Sequence, residues 1–239
     1  MAGTYVYIDG LNFYYGAIRG TSYKWFDLEA WVRTLLPRDN IGLIQYFTAP
    51  VRQQYPGDRA HERQNVLLRA LSANPLISVH EGHFTTEAKW RPLADHKFGL
   101  RDLFRPVLRP SPIVRAIFAE ARRRRYEAWT LARVMVDEEK RSDVSLAAHL
   151  VYDSVTNACD KAVVVTNDSD LMEPLILAAQ TGIQVGLVNP HRSPTNRRLK
   201  GVAAFEIPFR REALAKCLLP MTVRARNGRQ LHCPNEWRP

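Results

Sequence analysis

Aspartate residues follow two short apolar segments of the sequence, in positions where they could do chemistry. Asp168 and Asp170 come soon after the β-branched run from Ala162 to Val165, and Asp9 follows the run from Tyr5 to Ile8. Such runs are typical of strands that are buried in a parallel sheet. Because ligands bind at the carboxyl ends of parallel strands, we expect these carboxylates at a functional edge of the sheet.

A third segment supplies another acid. Asp143 begins a stretch in which apolar residues recur at helical spacing, which predicts a helix packed on the sheet. An acid in the first turn of a helix is favoured by the helix dipole, so Asp143 also has a purely structural explanation. Similarly, Asp170 and Glu173 have the spacing of a capping box for the next helix, an explanation that leaves Asp168 unexplained.

Four converging carboxylates favour a bound cation. They would repel one another unless a cation neutralised them, and oxygen ligands suit Mg²⁺ or Mn²⁺ better than Zn²⁺. Such a site could activate a water molecule and orient a phosphodiester for in-line displacement. The predicted metal ligands, which are also the predicted catalytic residues, are Asp9, Asp143, Asp168 and Asp170.

The charge of the chain favours an anionic partner. There are 34 Lys and Arg residues against 24 Asp and Glu, a net charge of +10. Nucleic acid is the first candidate, although the excess could serve solubility alone. Basic and aromatic residues interleave from Thr85 to about Ser111, as a groove for a single strand of nucleic acid would require. The alternative is an irregular loop whose aromatic side chains pack in the core.

Alternating strand and helix patterns predict the fold. We expect a three-layer α/β/α sandwich with a Rossmann-like, mainly parallel sheet. Residues 1–210 would form this domain, with an insertion around 85–127, and residues 211–239 would form a C-terminal helix and a basic tail. No apolar run approaches the roughly 20 residues of a membrane span. The three cysteines form no CxxC pair, so a reducing cytoplasm is the expected location.

Three motifs resemble those of the NYN family, a branch of the PIN-like nuclease fold. They are YIDGLNFYY at 7–15, EEKRSDVSLAAHLVYD at 138–153 and VVVTNDSDLMEPL at 163–175. The resemblance covers roughly residues 4–207. It implies a metal-dependent nuclease for single-stranded or structured RNA, with the metal-site acids at the four aspartates already named and Asn12 as a polar neighbour.

The sequence departs from the family pattern at two positions. Arg141 stands where many relatives have glycine, and His149 stands where many have another aspartate. The histidine could weaken a second metal, or it could be satisfied in the core. His80 and His83 also invite a metal interpretation, but the residues around them favour a strand end and a loop.

The predicted function is therefore a metal-dependent endoribonuclease with a Mg²⁺ or Mn²⁺ cofactor, acting on RNA in preference to DNA. A regulatory module that binds nucleic acid without effective catalysis is the alternative. A phosphatase or nucleotide hydrolase is less well supported, because no GxxxxGK[ST] motif is present. Self-association stays open. The residues expected to contact the substrate are Asn12, Tyr14, Arg141, Asn167 and Ser169.

Overall fold

A computed structural model describes residues 3–238 of the chain, except 52, 54 and 93–130. The chain falls into two compact units. The larger unit contains Met1–Phe84 and Glu139–Pro239, and the smaller contains Thr85–Glu138. The sequence from Pro112 to about Trp129, which contains four consecutive arginines, has a helical pattern that predicts a further helix, and these residues lie outside the described part of the chain.

A six-stranded parallel sheet organises the larger unit. Its strands lie in the order β3-β2-β1-β6-β7-β8, and each neighbouring pair is parallel. The six strands are β1 (Thr4–Asp9), β2 (Ile41–Thr48), β3 (Ile77–Glu81), β6 (Lys161–Val165), β7 (Gln184–Val188) and β8 (Phe205–Glu206). Counted in chain order within the sheet, this is the 3-2-1-4-5-6 arrangement of a Rossmann fold. The predicted α/β class is confirmed.

Two further strands, β4 (His83–Pro92) and β5 (Leu131–Lys140), pair with each other in a separate two-stranded sheet. The prediction of an irregular loop from Thr85 is therefore wrong as far as Pro92, where the chain is a strand. The error arose because this stretch lacks the strict alternation of apolar and polar residues that marks a half-buried strand.

The helices follow the sequence patterns with one exception. The sequence pattern also predicts a short strand region from Leu199 to Ile207, but residues 199–202 belong to a helix and only two residues, Phe205 and Glu206, join the sheet. The remaining elements are α1 (Gly10–Phe13), a π-helical turn (Tyr14–Ile18), α2 (Leu28–Leu35), α3 (Ala60–Leu71), α4 (Ser142–Val155), a 3₁₀ turn (Ser169–Leu171), α5 (Met172–Gln180), α6 (Arg197–Val202), α7 (Arg211–Lys216), β9 (Thr222–Arg224), β10 (Gln230–His232) and a final 3₁₀ turn (Asn235–Trp237).

Apolar side chains cover both faces of the sheet. Along β1, Val6 and Ile8 point into a core that includes Trp31, whereas Tyr7 points into a second core with Leu146 and other residues of α4, α5 and α6. This alternation explains why the strands are apolar throughout, since each residue is buried on one side or the other. Helices on both faces make the three layers that the sequence predicted.

The order of the strands determines where a ligand-binding crevice forms at the edge of the sheet. The chain leaves β1 towards β2 and β3 on one side, and returns beside β1 with β6 before continuing outward on the other. A crevice forms at the carboxyl ends of two strands where the winding reverses in this way, and ligands of such sheets bind there. Asp9 ends β1 at this point, and Thr166 follows β6.

None of the helices in the described part of the chain is both long and apolar enough to cross a membrane.

Candidate functional site

Asp9 lies at the centre of the crevice. Its carboxylate accepts hydrogen bonds from the backbone N–H of Asn12 at 2.9 Å and from the hydroxyl of Thr166 at 3.0 Å. The first bond caps α1, and the second ties the end of β1 to the end of β6. Burial raises the pKa of Asp9 to about 7, and the carboxylates of Asp143 and Asp168 act in the same direction, against the two hydrogen bonds.

The other predicted acids gather near Asp9. Burial raises the pKa of Asp143, and the negative charges of Glu139, Asp168 and Asp170 raise it further. The tertiary structure thus places Asp143 and Asp168 close enough to act on Asp9, and Asp168 and Asp170 close enough to act on Asp143.

Asp168 has a structural role that the sequence analysis did not assign. Its carboxylate accepts the backbone N–H of Asp170 at 3.0 Å and so caps the 3₁₀ turn that precedes α5. The alternative interpretation of Asp170 and Glu173 as a capping box is therefore not what the structure shows, since no side chain caps the helix itself. Asp170 itself is exposed. The reason is that a 3₁₀ turn separates the strand from the helix, which moves the capping position two residues earlier.

A network of amide side chains joins the loops around the crevice. The Asn12 side-chain oxygen accepts the backbone N–H of Asn167 at 3.0 Å and lies 3.0 Å from Nε2 of His191. The Asn167 side-chain oxygen in turn accepts the backbone N–H of Asn196 at 2.8 Å. Asn12 and Asn167, both predicted to contact a substrate, are thus occupied in joining loops. His191 entered none of the sequence predictions.

The remaining predicted contact residues are dispersed. Ser169 begins the 3₁₀ turn, and Tyr14 begins the π-helical turn, where its side chain is partly exposed. Arg141 precedes α4 with a φ of 87°, in the left-handed region that favours glycine. A glycine would adopt this conformation more easily than the arginine found here.

His149 packs against two other rings. Its ring centroid lies 4.3 Å from that of His80 and 5.6 Å from that of Phe47, and Phe47 and His80 are stacked. Burial lowers the pKa of His80, and the neighbouring His149 lowers it further. These contacts support the structural interpretation of His149.

An apolar cavity opens on the face of the sheet that Val6 and Ile8 cover. Its volume is about 160 Å³. Its walls come from the π-helical turn, β2, α3 and the C-terminal 3₁₀ turn, and the aromatic members are Tyr14, Tyr15, Phe26, Tyr46, Phe84 and Trp237. Gly10 lines the cavity and directly follows Asp9, so the cavity and the acidic crevice share the end of β1.

The π-helical turn shapes one wall of this cavity. The backbone N–H of Arg19 bonds to the carbonyl oxygen of Tyr14 at 2.7 Å, five residues back, and Arg211 of α7 donates to the carbonyl oxygens of Gly16 and Ala17. Single π-helical turns occur frequently at functional sites. Here the turn directs two tyrosines, Tyr14 and Tyr15, towards the cavity.

Polar groups are few in the cavity wall. Burial raises the pKa of Tyr46, as does the nearby charge of Asp9, and a hydrogen bond with the Thr48 side chain opposes them. The only charged side chains that line the cavity among the described residues are Lys24 and Arg63. Of the residues that line the cavity, only Tyr14 was predicted from the sequence to contact a substrate. The others lie on elements far apart in the chain, and no local spacing signals their convergence.

Comparison with known proteins gives one informative relationship. The chain is 31% identical over 245 aligned residues to 6-hydroxy-3-succinoylpyridine 3-monooxygenase HspA of Pseudomonas putida, and the match covers 93% of this chain and 72% of that protein. A crystal structure of a protein of unknown function from Vibrio parahaemolyticus aligns over 90% of this chain and 95% of its own, with a TM-score of 0.47 and 12% identity. This structural similarity is too low to support a conclusion about fold or function. No protein-family profile matches the chain.

The relationship overturns the predicted chemistry. The relative is named as a monooxygenase, which is an oxidoreductase, so the prediction of a metal-dependent endoribonuclease is wrong, as is the alternative of a regulatory module without catalysis. The Mg²⁺ or Mn²⁺ prediction is wrong as well: in the described ranges, no group of three or more His, Cys, Asp or Glu residues is arranged to hold a metal ion. The physical reason lies partly in capping, since Asp9 and Asp168 already accept backbone N–H groups.

Proposed function

Since the chain belongs to the family of 6-hydroxy-3-succinoylpyridine 3-monooxygenase HspA, we propose that it is a monooxygenase acting on a hydroxylated six-membered aromatic ring. In such a reaction one atom of O₂ forms a bond to the substrate and the other leaves as water. The balance requires two electrons and two protons, supplied by an external two-electron reductant.

The aromatic cavity is the observation that carries this proposal. Its volume of about 160 Å³ is close to the roughly 150 Å³ of an engineered apolar cavity that binds benzene. A single six-membered ring therefore matches the space. Aromatic walls favour a planar ring through stacked and edge-on contacts. The position of the cavity beside the carboxyl end of β1 is also where ligands of this fold bind.

Asp9 is the acid–base group in this proposal. A group exchanges protons most effectively when its pKa lies near the working pH, and the pKa of Asp9 is about 7. Asp9 adjoins the cavity wall at Gly10 and does not itself line the cavity, so it would take the proton of a ring hydroxyl through an intervening water. Loss of that proton would enrich the ring in electrons and favour attack by an electrophilic oxygen. Asp143 and Asp168 would support this role by holding the pKa of Asp9 high.

A monooxygenase of this kind implies a flavin or a similar redox cofactor, but the first strand–helix connection does not fit a dinucleotide. A Cβ added at Gly10 would lie 2.6 Å from the carbonyl oxygen of Phe47, and one at Gly16 would lie 3.0 Å from that of Pro190. Both glycines thus allow close packing of the protein chain and leave no open cradle for a pyrophosphate. The sequence also has no GxGxxG motif.

The test is incorporation of oxygen from ¹⁸O₂. The purified protein would be incubated with 6-hydroxy-3-succinoylpyridine or simpler hydroxypyridines, together with reduced flavin as the two-electron donor. We expect a product that carries one ¹⁸O atom by mass spectrometry.

A matched pair of variants on α3 controls this test. Ala60→Trp would fill the cavity from one wall and should abolish labelling, whereas Asn65→Trp, at an exposed position of the same helix, should preserve it. An unlabelled product, or no product from any of these ring substrates, would contradict the proposal.

A further inference from the structure

Lys24 lines the aromatic cavity without a partner of its own. The side chain is half-buried, and within the described ranges it makes no hydrogen bond or ion pair. A charged group beside apolar surface is costly unless it is paired or reaches water. The ammonium group of Lys24 is therefore available to an anion that enters the cavity.

Two other polar residues of the cavity wall, Arg63 and Gln64, already have partners. Arg63 donates from Nη1 to the Glu236 carboxylate at 3.0 Å, which neutralises part of its charge. The Gln64 side chain accepts the backbone N–H of Val51 at 2.6 Å and donates to the carbonyl oxygen of Ala49 at 3.0 Å. Lys24 is thus the free cationic donor in this part of the wall.

No carboxylate lines the cavity among the described residues, so its charge is positive. An anionic ligand would gain mainly from Lys24, because Arg63 is already paired with Glu236. A carboxylate is the group that fits best, because its oxygens accept charge-assisted hydrogen bonds from an ammonium group. The apolar walls select the rest of the ligand as a ring.

We propose that the cavity selects aromatic carboxylates, with Lys24 as the specificity-determining residue that binds the carboxylate. The proposal rests on the proposed function in taking the cavity as the substrate site. It goes further in naming the residue that binds the carboxylate, a group that the succinoyl substituent in the name of the relative's substrate also carries.

Two probes of the same size separate ring binding from charge recognition. Nicotinate and nicotinamide share the pyridine ring, but nicotinate carries a negatively charged carboxylate where nicotinamide carries a neutral amide. Isothermal titration calorimetry at pH 7 should show that the wild-type protein binds nicotinate about tenfold or more tightly than nicotinamide, the range expected for a charge-assisted hydrogen bond.

Variants of Lys24 test the assignment. Lys24→Met keeps the apolar stem and removes the charge, so it should weaken nicotinate binding about tenfold and leave nicotinamide binding unchanged. Lys24→Arg should retain most of the preference for nicotinate. Lys216→Met, which removes the same charge from an exposed site on α7 outside the cavity, should behave as the wild type. Thermal unfolding of each variant would show that it folds.

The outcomes separate this inference from the proposed function. Equal binding of the two probes, or a preference that survives in Lys24→Met, would overturn the role of Lys24 while the ring site stands. Binding of neither probe would overturn it too. A Lys24-dependent preference without ¹⁸O incorporation would support the inference and contradict the monooxygenase proposal.

Discussion

At the scale of single residues, several side chains serve the backbone and the site together. Asp9 and Asp168 each accept a backbone N–H group. The negative charge of Asp168 also raises the pKa of Asp9 and Asp143, and that of Asp9 raises the pKa of Tyr46. Capping and chemistry therefore cannot be separated by residue type alone, because the same carboxylate satisfies a helix end and carries a charge. The aspartates of the sequence motifs misled the functional prediction for this reason.

The ionisation of Asp9 predicts a pH dependence of stability. Its native pKa of about 7 lies above the ordinary value of 3.8, so between these values the folded protein keeps a proton that the unfolded chain has released. The stabilisation is fully present below about pH 4 and is lost as the pH rises to 7. The side chain in Asp9→Asn cannot ionise, so the variant should not show this loss. Above pH 7 its free energy of unfolding should exceed that of the wild type by up to about 4 kcal/mol.

Chemical denaturation of the wild type and Asp9→Asn at several pH values from 4 to 8 would measure the effect. The two curves should diverge as the pH rises, in favour of the variant. Glu212→Gln, which changes the same charge at an exposed position of α7, controls for net charge. Parallel curves for wild type and Asp9→Asn would show that ionisation of the Asp9 carboxylate does not lower the free energy of unfolding as predicted.

At the scale of elements, the π-helical turn connects the two parts of the site. It begins directly after α1, which Asp9 caps, and it carries two tyrosines of the cavity wall. Its outer side is held by Arg211 of α7, and Gly16 lies close to the backbone of Pro190. The turn is thus fixed from two directions by segments near the C-terminus of the chain.

Arg211→Ala should loosen this turn. Loss of the charge-assisted bonds to two backbone carbonyl oxygens should reduce the free energy of unfolding by about 1–3 kcal/mol. Binding of nicotinate should weaken as well, because Tyr14 and Tyr15 would lose their fixed positions. Denaturation and calorimetry measure the two effects. Arg210→Ala, at the exposed neighbouring position, is the matched control, and equal behaviour of the two variants would refute the role of Arg211.

At the scale of the whole molecule, the C-terminal segment is part of the larger unit. Leu231 and Cys233 are buried in the same core as Val6 and Ile8, and Trp237 lines the cavity. The Trp25 indole N–H also donates to the carbonyl oxygen of Pro220 at 2.8 Å. This segment therefore completes both the core and the site.

Truncation after Leu219 should test this contribution. The shortened chain would lose the buried side chains of Leu231 and Cys233, together with one wall of the cavity. Loss of a buried leucine side chain lowers the free energy of unfolding by about 2–5 kcal/mol, and loss of the smaller cysteine lowers it by less. We expect a lower unfolding temperature and no measurable binding of nicotinate. Truncation after Trp237 removes only the last two residues and should change neither property. An unchanged unfolding temperature in the shorter chain would contradict this account.

Some predictions concern properties that neither the fold nor the relative addresses. The resemblance to the NYN family stays a prediction, as does a nucleic-acid partner suggested by the net charge of +10. Excess charge spread over a molecule acts at long range and does not specify one ligand. The cavity, in contrast, combines shape with the placement of two cations, and it therefore supports a more specific hypothesis.

The sequence by itself determined the features that depend on neighbouring residues. The buried strand runs and the helical spacing of α4 are local patterns, and the fold class follows from their alternation. It also placed Asp9 and Asp168 at strand ends, since a strand end is visible in the chain. What these residues do at that edge was beyond its reach, because the same spacing serves a cap, an acid–base group or a metal ligand.

Only the tertiary structure decided the composition of the cavity. Lys24, Tyr46, Arg63 and Trp237 lie on a loop, a strand, a helix and a C-terminal turn, and they meet through the register of β1 with β2 and the packing of the last residues on α3. Such convergence depends on packing between distant segments, which no local period encodes. The charge and the shape of the candidate substrate site are therefore properties of the folded chain.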